Sequence, residues 1–555
     1  MTALAFLIVI IPFAVILGRL LAASGQHLYL SDDLALIDLH TRRALEWRQQ
    51  LGVFDRNGWN HPGPALFYVL SLSYRALGSG ARAMFVGATL TNALAAIGCV
   101  ALVRRRTTPE RALWAAAWLC ALGAVLAATG AGATTYSESV LGALVSPWNP
   151  LIVIFPLLLF VLLCAAAIDR SGLSVLGALL VGSFVVQTDF STLPLVIVLF
   201  VVSAGTWIVT CVGDRRRTSG APPVTMDEVA SRRRAWHWAW TAAGLVLLVI
   251  MWVPPVIEQL TNTPGNLTLI YRFFTSGQPG HSFASGVNAA TAAFGVLVVG
   301  PAEIMSTVLG FAPKHLAIAV VVSVAIVMLG AAVVVIGVRQ RNRFASGLGA
   351  LGLIGAVTMV LAVTRVVGHV YGYLVIWSIV LPVAILISIG MVQPPRARRS
   401  GARGMHASMA GWRVALCALG VVACVIFGVR VLSIPALGNV SNAQVQRLTA
   451  LVTPKLPAGG PVFIGDNGAG TGISKTIDVE EFIGLVNQLD IAGYHPRVNA
   501  LWRPEFGPGY LANGMKRRVV LLSPWNPTSA RAAGYVGRVG DIGVTVTDAN
   551  GGAVR

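Results

Sequence analysis

Apolar runs close to the ~20 residues needed to cross the hydrocarbon of a bilayer recur along this chain, separated by short polar or basic stretches. They fall at 3–23, 82–103, 110–130, 151–168, 173–189, 190–211, 238–257, 316–338, 345–364, 371–392 and 411–432, a pattern that predicts about eleven membrane-crossing helices. Residues 64–77, ALFYVLSLSYRAL after Pro64, are too short to span and carry Arg75, which predicts an amphipathic helix at the membrane surface. The segment 286–310 is apolar but rich in small residues and holds Pro301 and Glu303. It reads as an interfacial helix, a re-entrant piece or an extra pair of half-spans.

From Pro435 onward the pattern changes. PVFIG (461–465), RVVLLS (518–523) and GVTVT (543–547) read as strands, and DVEEFIGLVNQLDIAGY (478–494) reads as a helix. The predicted fold class is therefore an α-helical polytopic membrane protein, with residues 1–434 as the membrane domain and 435–555 as a small α/β domain.

Composition agrees with this class: 55% of the 555 residues are hydrophobic and only 11% charged, with a mean hydropathy of +0.74. The net charge of +19 changes the picture only through its placement. Arginines gather at 104–106, 215–217, 232–234, 339–343 and 396–403, between apolar runs, where they mark the cytoplasmic side and meet anionic lipid head groups rather than nucleic acid. With the N-terminus inside, every cluster falls on that side, and an odd number of spans puts residues 24–81, 131–150, 258–315 and 433–555 outside. The six cysteines all lie within apolar runs, without metal-ligand spacing.

The outer loops hold the candidate chemistry. Asp32 and Asp33 follow the first span in YLSDDLALIDL, and the same loop ends in WNHPGP with His61. The next outer loop carries Glu138 in TTYSES and Asn149 in SPWNP. A partly desolvated carboxylate at the membrane boundary is suited to take a proton from a hydroxyl nucleophile. The plainer reading makes Asp32 and Asp33 rivals for the cap of a helix starting at Leu34, Glu138 a turn residue and His61 a shaper of its loop. Asp38 lies on the next turn, with His40–Arg43 nearby to pair with it. Asp189, in the tight QTDF hairpin, reads as a cap or as part of an acceptor site. Gln259, beyond the Pro254–Pro255 pair, offers an amide to the cleft. GDNGAGTG (465–472) fits neither spacing of a nucleotide-binding glycine loop.

A first helix followed by an acidic outer loop, then HPGPALFYVLSLSYRALG, the span ARAMFVGATLTNALAAIGCVALVRRR and the acid of YSESV resemble the GT-C superfamily of polytopic glycosyltransferases. The resemblance is carried by roughly the first 200 residues, and its HPGP departs from the family's HPPL-like segment by a glycine. It implies a lipid-phosphate-linked sugar donor and a first-loop aspartate as base. The Ala/Gly/Val/Arg-rich composition and the outer C-terminal domain suggest, within that superfamily, an actinobacterial cell-envelope enzyme akin to arabinofuranosyltransferases. On this reading the partners are a polyprenyl-phosphate sugar, an envelope glycan or glycolipid and membrane lipids, no metal or other cofactor is indicated, and the protein sits in the plasma membrane. The donor phosphate then needs cations at the outer leaflet. Arg365 and Arg272 offer the bidentate grip of a guanidinium, with His369 and Lys314 beside them, and Arg19 either joins them or snorkels to the interface. The rival reading is a transporter or flippase of lipid-linked sugars, although such proteins place ionisable groups near the bilayer midplane.

Overall fold

The computed structural model describes residues 1–23, 25–128, 141–218, 228–300, 316–393, 402–457, 459–466, 479–512, 518–525, 527 and 529–548. Each predicted span falls on a helix. In chain order these are α1 (Thr2–Ala22), the loop helices α2 (Asp32–Leu45) and α3 (Ala65–Leu77), α4 (Ala81–Arg106), α5 (Pro109–Ala127), the one-turn α6 (Asn149–Ile152) leading into α7 (Ile154–Ile168), α8 (Gly172–Thr188), α9 (Leu193–Thr218) and α10 (Glu228–Thr261). After α11 (Asn266–Thr275) and α12 (Phe283–Val299) come Leu316–Arg339, Arg343–Val363, Val380–Ile389 and Ala402–Leu432. Among the described residues, nine helices are long and apolar enough to cross a membrane, and α3, α8, α12 and Ile376–Ile389 are shorter apolar helices.

The bundle has two chemically different ends. At one end Arg104 donates to Thr2, Arg106 pairs with Asp169, and Gln340 donates to the carbonyl of Gln393, so arginine-bearing turns lie together. At the other end are the first loop, α11 and the chain after Val363. The amide of His281 donates to the Thr364 carbonyl there, so α12 starts at this second end. Helix Leu316–Arg339 also starts there, since its last residues meet the arginine end. Of the small-residue segment 286–310, residues 286–299 lie on α12, while Pro301 and Glu303 lie outside the described residues. Periodicity misses α12 because its glycines and alanines dilute the hydropathy. The first turns of the 371–392 run also differ from expectation, being short 3₁₀ turns (Gly372–Leu374 and Ile376–Ile379) before the helix.

Helix α3 is the predicted amphipathic element. It buries Leu66, Phe67, Leu70 and Tyr74, leaves Leu72 exposed, and packs on α2 and α4. The C-terminal region folds around a five-stranded sheet in the order β4-β3-β5-β7-β6, with β3 (Gly460–Asp466) parallel to β4 (Tyr494–Val498) and β5 (Arg518–Pro524), and β7 (Ile542–Thr547) antiparallel to β5 and β6 (Tyr535–Val539). The helix Val479–Ile491 makes the β3–β4 crossover. The two strands absent from the sequence reading are the sheet's edges. β4 carries Pro496 and β6 a bulge at Gly537, features that edge strands tolerate and that erase the alternating pattern. Of the glycine loop 465–472, all but Gly465 and Asp466 lies outside the described residues.

The first loop is clasped between bundle and sheet region by buried polar groups. Asp38, fully buried, accepts from Tyr74 Oη (2.5 Å), Asn487 Nδ2 (3.1 Å) and Arg42, which also reaches Asn487 Oδ1 (2.8 Å) and Asp490 (3.0 Å). Asn442 donates its amide to the Tyr29 carbonyl (2.7 Å) and His40 Nε2 bonds the Glu505 carbonyl (2.8 Å). The expectation that Asp38 pairs within its own helix turn holds for Arg42. The pair is sealed by α3 and Val479–Ile491.

Candidate active site

At the junction of bundle, first loop and C-terminal region lies a cavity of about 910 Å³. The acidic part of its wall comes from the first turn of α2, Asp32 and Asp33, and from Asp55 on β1 (Phe54–Asp55). Asp189 and Glu505 also line it, as do the cations Arg56 and Arg365. The remaining lining is largely apolar: Phe190, Ile270, Phe273 and Phe274 gather near Trp59, and Val363, Val366 and Leu374 continue the wall.

Helix α2 begins at Asp32 rather than Leu34, with Ser31 in the N-cap position, so the expected contest between the two aspartates for the cap does not arise. Asp32 has φ of 49°, a left-handed conformation that non-glycine residues adopt at a cost. Asp33, half-buried, accepts a hydrogen bond from Trp148 Nε1 at 2.7 Å. Burial first and the charge of Asp32 second push the Asp33 carboxyl up to about 7; the Trp148 hydrogen bond opposes them, and Asp55 adds a smaller push. A carboxylate tuned near neutrality is matched to taking a proton from a hydroxyl and releasing it again.

His61 is fixed differently from a base or phosphate ligand. Its Nδ1 accepts the Phe190 amide hydrogen (2.8 Å), so the ring proton belongs on Nε2, which faces the Asn149 amide at 3.1 Å; that amide then presents its oxygen. Burial holds His61 down to about 3. A second proton would turn Nδ1 toward the Phe190 N–H as a donor. His61 and Asn149 therefore shape the cavity by tying the HPGP segment, α6 and the α8–α9 turn together. Because the folded state keeps this imidazole neutral, its stability contribution is present above the ordinary histidine range near 6.5 and is lost as pH falls from there toward 3. The melting temperature is thus expected to drop between pH 6.5 and 4.5, with a shallower slope in His61→Gln, measured by differential scanning fluorimetry.

The glycine of HPGP has a local cause. A Cβ on Gly63 would lie 2.3 Å from Gln187 Oε1 and 2.8 Å from Pro255 Cγ, so α8 and α10 approach the loop too closely for any side chain. Asp189 accepts from the amide (3.0 Å) and hydroxyl (2.7 Å) of Ser191 and so caps the turn while lining the cavity. Gln259 stays out of the cavity, bonding the amide and hydroxyl of Thr268 to join α10 to α11. Asn266 exchanges two hydrogen bonds with the Asn60 backbone (2.8 and 2.7 Å), which fixes β2 (Trp59–Asn60) against α11.

Of the expected phosphate-binding cations, Arg365 lines the cavity and its side chain has no hydrogen-bond or ion-pair partner among the described residues. Arg272 is exposed on α11 but outside the lining, unlike its neighbours Tyr271 and Phe273. His369 is also exposed; its ring meets Tyr371 edge-on (4.8 Å) and its carbonyl receives Arg56 (2.8 Å). Arg19 is occupied by the carbonyls of Val431 and Ile434, closing the end of Ala402–Leu432. Glu138 and Lys314 lie outside the described residues. Sequence reasoning overlooked Arg56, Asp55, Trp148 and Glu505. Only DRNG at 55–58, a turn signature with opposite charges, could have flagged the first two. Among the described residues, no group of three or more His, Cys, Asp or Glu side chains is arranged to hold a metal ion.

A helical bundle with acids in its first loop and a C-terminal α/β region is an arrangement shared with solved membrane-protein structures. The chain is similar along its whole length to the crystal structure of ArnT from Cupriavidus metallidurans bound to undecaprenyl phosphate, with a TM-score of 0.56, 14% identity and 99% of each chain covered. Against ArnT from the same organism in the apo state the TM-score is 0.50, at 13% identity and again 99% of each chain. No family model matches the sequence, and no curated protein matches it.

Proposed function

We propose that the protein is a membrane glycosyltransferase that moves a sugar from a polyprenyl-phosphate donor to a hydroxyl of a cell-envelope glycan or glycolipid. The observation that carries this reading is Asp33, tuned near neutrality in the wall of a cavity that also holds two arginines and an extensive apolar lining. Asp33 takes the acceptor's proton as its oxygen attacks the anomeric carbon. The bond to the donor phosphate breaks, and the lipid phosphate leaves as an anion stabilised by Arg365 and Arg56. Phe190, Ile270, Phe273 and Phe274 suit the first isoprene units of the lipid. The ArnT structure holding undecaprenyl phosphate supports a polyprenyl-phosphate ligand. Within the resemblance to GT-C enzymes, the narrower form of this reading is an actinobacterial cell-envelope enzyme akin to the arabinofuranosyltransferases.

In this reading residues 1–434 form the membrane domain, and 435–555 form an extracytoplasmic domain that covers the acceptor side of the cavity. The arginine-bearing end then faces the cytoplasm. An alkaline phosphatase fusion after Val440 is expected to be active and one within 215–234 silent; an inactive fusion after Val440 would reverse the orientation. The function itself is tested by reconstituting the protein in liposomes with radiolabelled polyprenyl-phosphate pentoses and hexoses and an envelope glycan. Label on the glycan supports transfer, whereas label moved across the bilayer with the donor intact would identify a flippase.

A further inference from the structure

The SPWNP stretch does more than supply Asn149. Trp148 precedes α6, its side chain buried to within a few per cent, and its indole N–H donates to Asp33 Oδ2 at 2.7 Å. The indole is itself held. Its ring packs on Tyr373 (5.2 Å between centroids), Tyr373 stacks parallel on Tyr371 (5.4 Å, 10°), and the Arg56 guanidinium covers Tyr371 at 4.5 Å while donating to Tyr373 Oη at 3.2 Å. On the other side the next residue, Asn149, is locked to His61. The indole N–H thus has little freedom to leave Asp33, and a rigid donor on one oxygen decides which way the carboxylate faces.

We infer that Trp148 is a positioning residue for Asp33: it occupies Oδ2 and leaves Oδ1 as the oxygen that receives the acceptor's proton. The inference rests on the proposed role of Asp33 as base. Two consequences follow from the chemistry. Oδ1 is the more basic oxygen, since Oδ2 already shares its electron density with an N–H. The donor also stabilises the charged carboxylate, so its loss raises the pH at which Asp33 ionises. Other charges line the same cavity, of which Asp32 and Asp55 act on the Asp33 carboxyl. Asp32 lies on its own helix, Asp55 and Arg56 on the β1–β2 hairpin, Asp189 on the α8–α9 turn, Arg365 beyond Val363, and Glu505 in the C-terminal region. None of these is removed by changing Trp148, so a shift in ionisation would report the indole N–H.

The test uses the full chain in lipid nanodiscs and dicyclohexylcarbodiimide, which modifies protonated carboxyls in apolar surroundings. Modification of Asp33, read by peptide mass spectrometry from pH 5 to 9, is expected to have its midpoint near 7 and to move up by about one pH unit in Trp148→Phe. Trp148→His, which keeps a ring N–H donor, is expected to restore part of the shift and covers the case in which the phenylalanine variant fails to fold. In the transfer assay the Trp148→Phe pH–rate profile should move up with the labelling midpoint, with kcat lowered and donor KM unchanged. An unmoved midpoint in a variant that melts like the parent would overturn the inference even if transfer is confirmed. A moved midpoint in a protein that transfers no lipid-linked sugar would keep the Trp148–Asp33 pairing and overturn the glycosyltransferase reading instead.

Discussion

Asp33→Asn is expected to reduce sugar transfer by about 10²-fold or more, the scale of lost general-base catalysis, while the protein folds at least as well as the parent. The two halves of this expectation have one cause. Burial and Asp32 hold the folded-state carboxyl near 7, well above the 3.8 of a free aspartate. A group shifted in this direction supports the fold fully below about 4 and loses that support as pH rises through 7, so at pH 8 the ionised Asp33 opposes folding. Asparagine has no charge to desolvate. The melting temperature of the variant should thus match or exceed the parent's at pH 8, with the difference narrowing toward pH 5. Activity falling while stability rises is the signature of a strained functional group, and a surface cap would show neither. Transfer that stays near the parent's level in Asp33→Asn and Asp32→Asn alike would remove the main support for the enzyme reading. Asp32, held at positive φ beside Asp33, is expected to act chiefly through its charge, so that Asp32→Asn lowers the pH at which Asp33 ionises and moves the acidic limb of the pH–rate profile to lower pH.

The membrane helices were legible because the hydrocarbon imposes a length and a composition that single-residue patterns reproduce. The acids of YLSDDLALIDL were legible because charge at the end of an apolar run is rare enough to need a reason. Other features depend on contacts between segments far apart in the chain. Asp33 and Asp38 look alike in sequence, yet one faces a cavity and the other a sealed network whose partners, Asn487 and Asp490, arrive about 450 residues later. Arg365 and Arg272 were equally plausible cations, and only the packing of α11 decides that the first lines the cavity. His61 reads in sequence as a loop shaper or an acceptor-site residue, and only the Phe190 amide on its Nδ1 ties it to the α8–α9 turn. Trp148 gave no signal, since a tryptophan at a membrane boundary is ordinary.

Asp38→Ala is expected to show the opposite profile to Asp33→Asn: a marked loss of stability. The Asp38 carboxylate is fully buried and satisfies three donors from two parts of the chain, Tyr74 of α3, Arg42 of its own helix, and Asn487 of Val479–Ile491. Removing it leaves the Arg42 charge with Asp490 alone and the Tyr74 hydroxyl with no acceptor, and breaking a buried ion pair from one side costs about 3–5 kcal/mol. Tyr74→Phe removes one donor and leaves the ion pair intact, so it should cost only about 1–2 kcal/mol. The order of melting temperatures is therefore parent, then Tyr74→Phe, then Asp38→Ala. Because the lost bonds join α2 to the C-terminal region, limited proteolysis of Asp38→Ala should release fragments from residues beyond Val440 earlier than in the parent. A melting temperature unchanged in Asp38→Ala would show that the clasp contributes nothing net. The apolar contacts of Phe482 and Ile483, with the Asn442–Tyr29 and His40–Glu505 hydrogen bonds, would then hold the sheet region over the cavity.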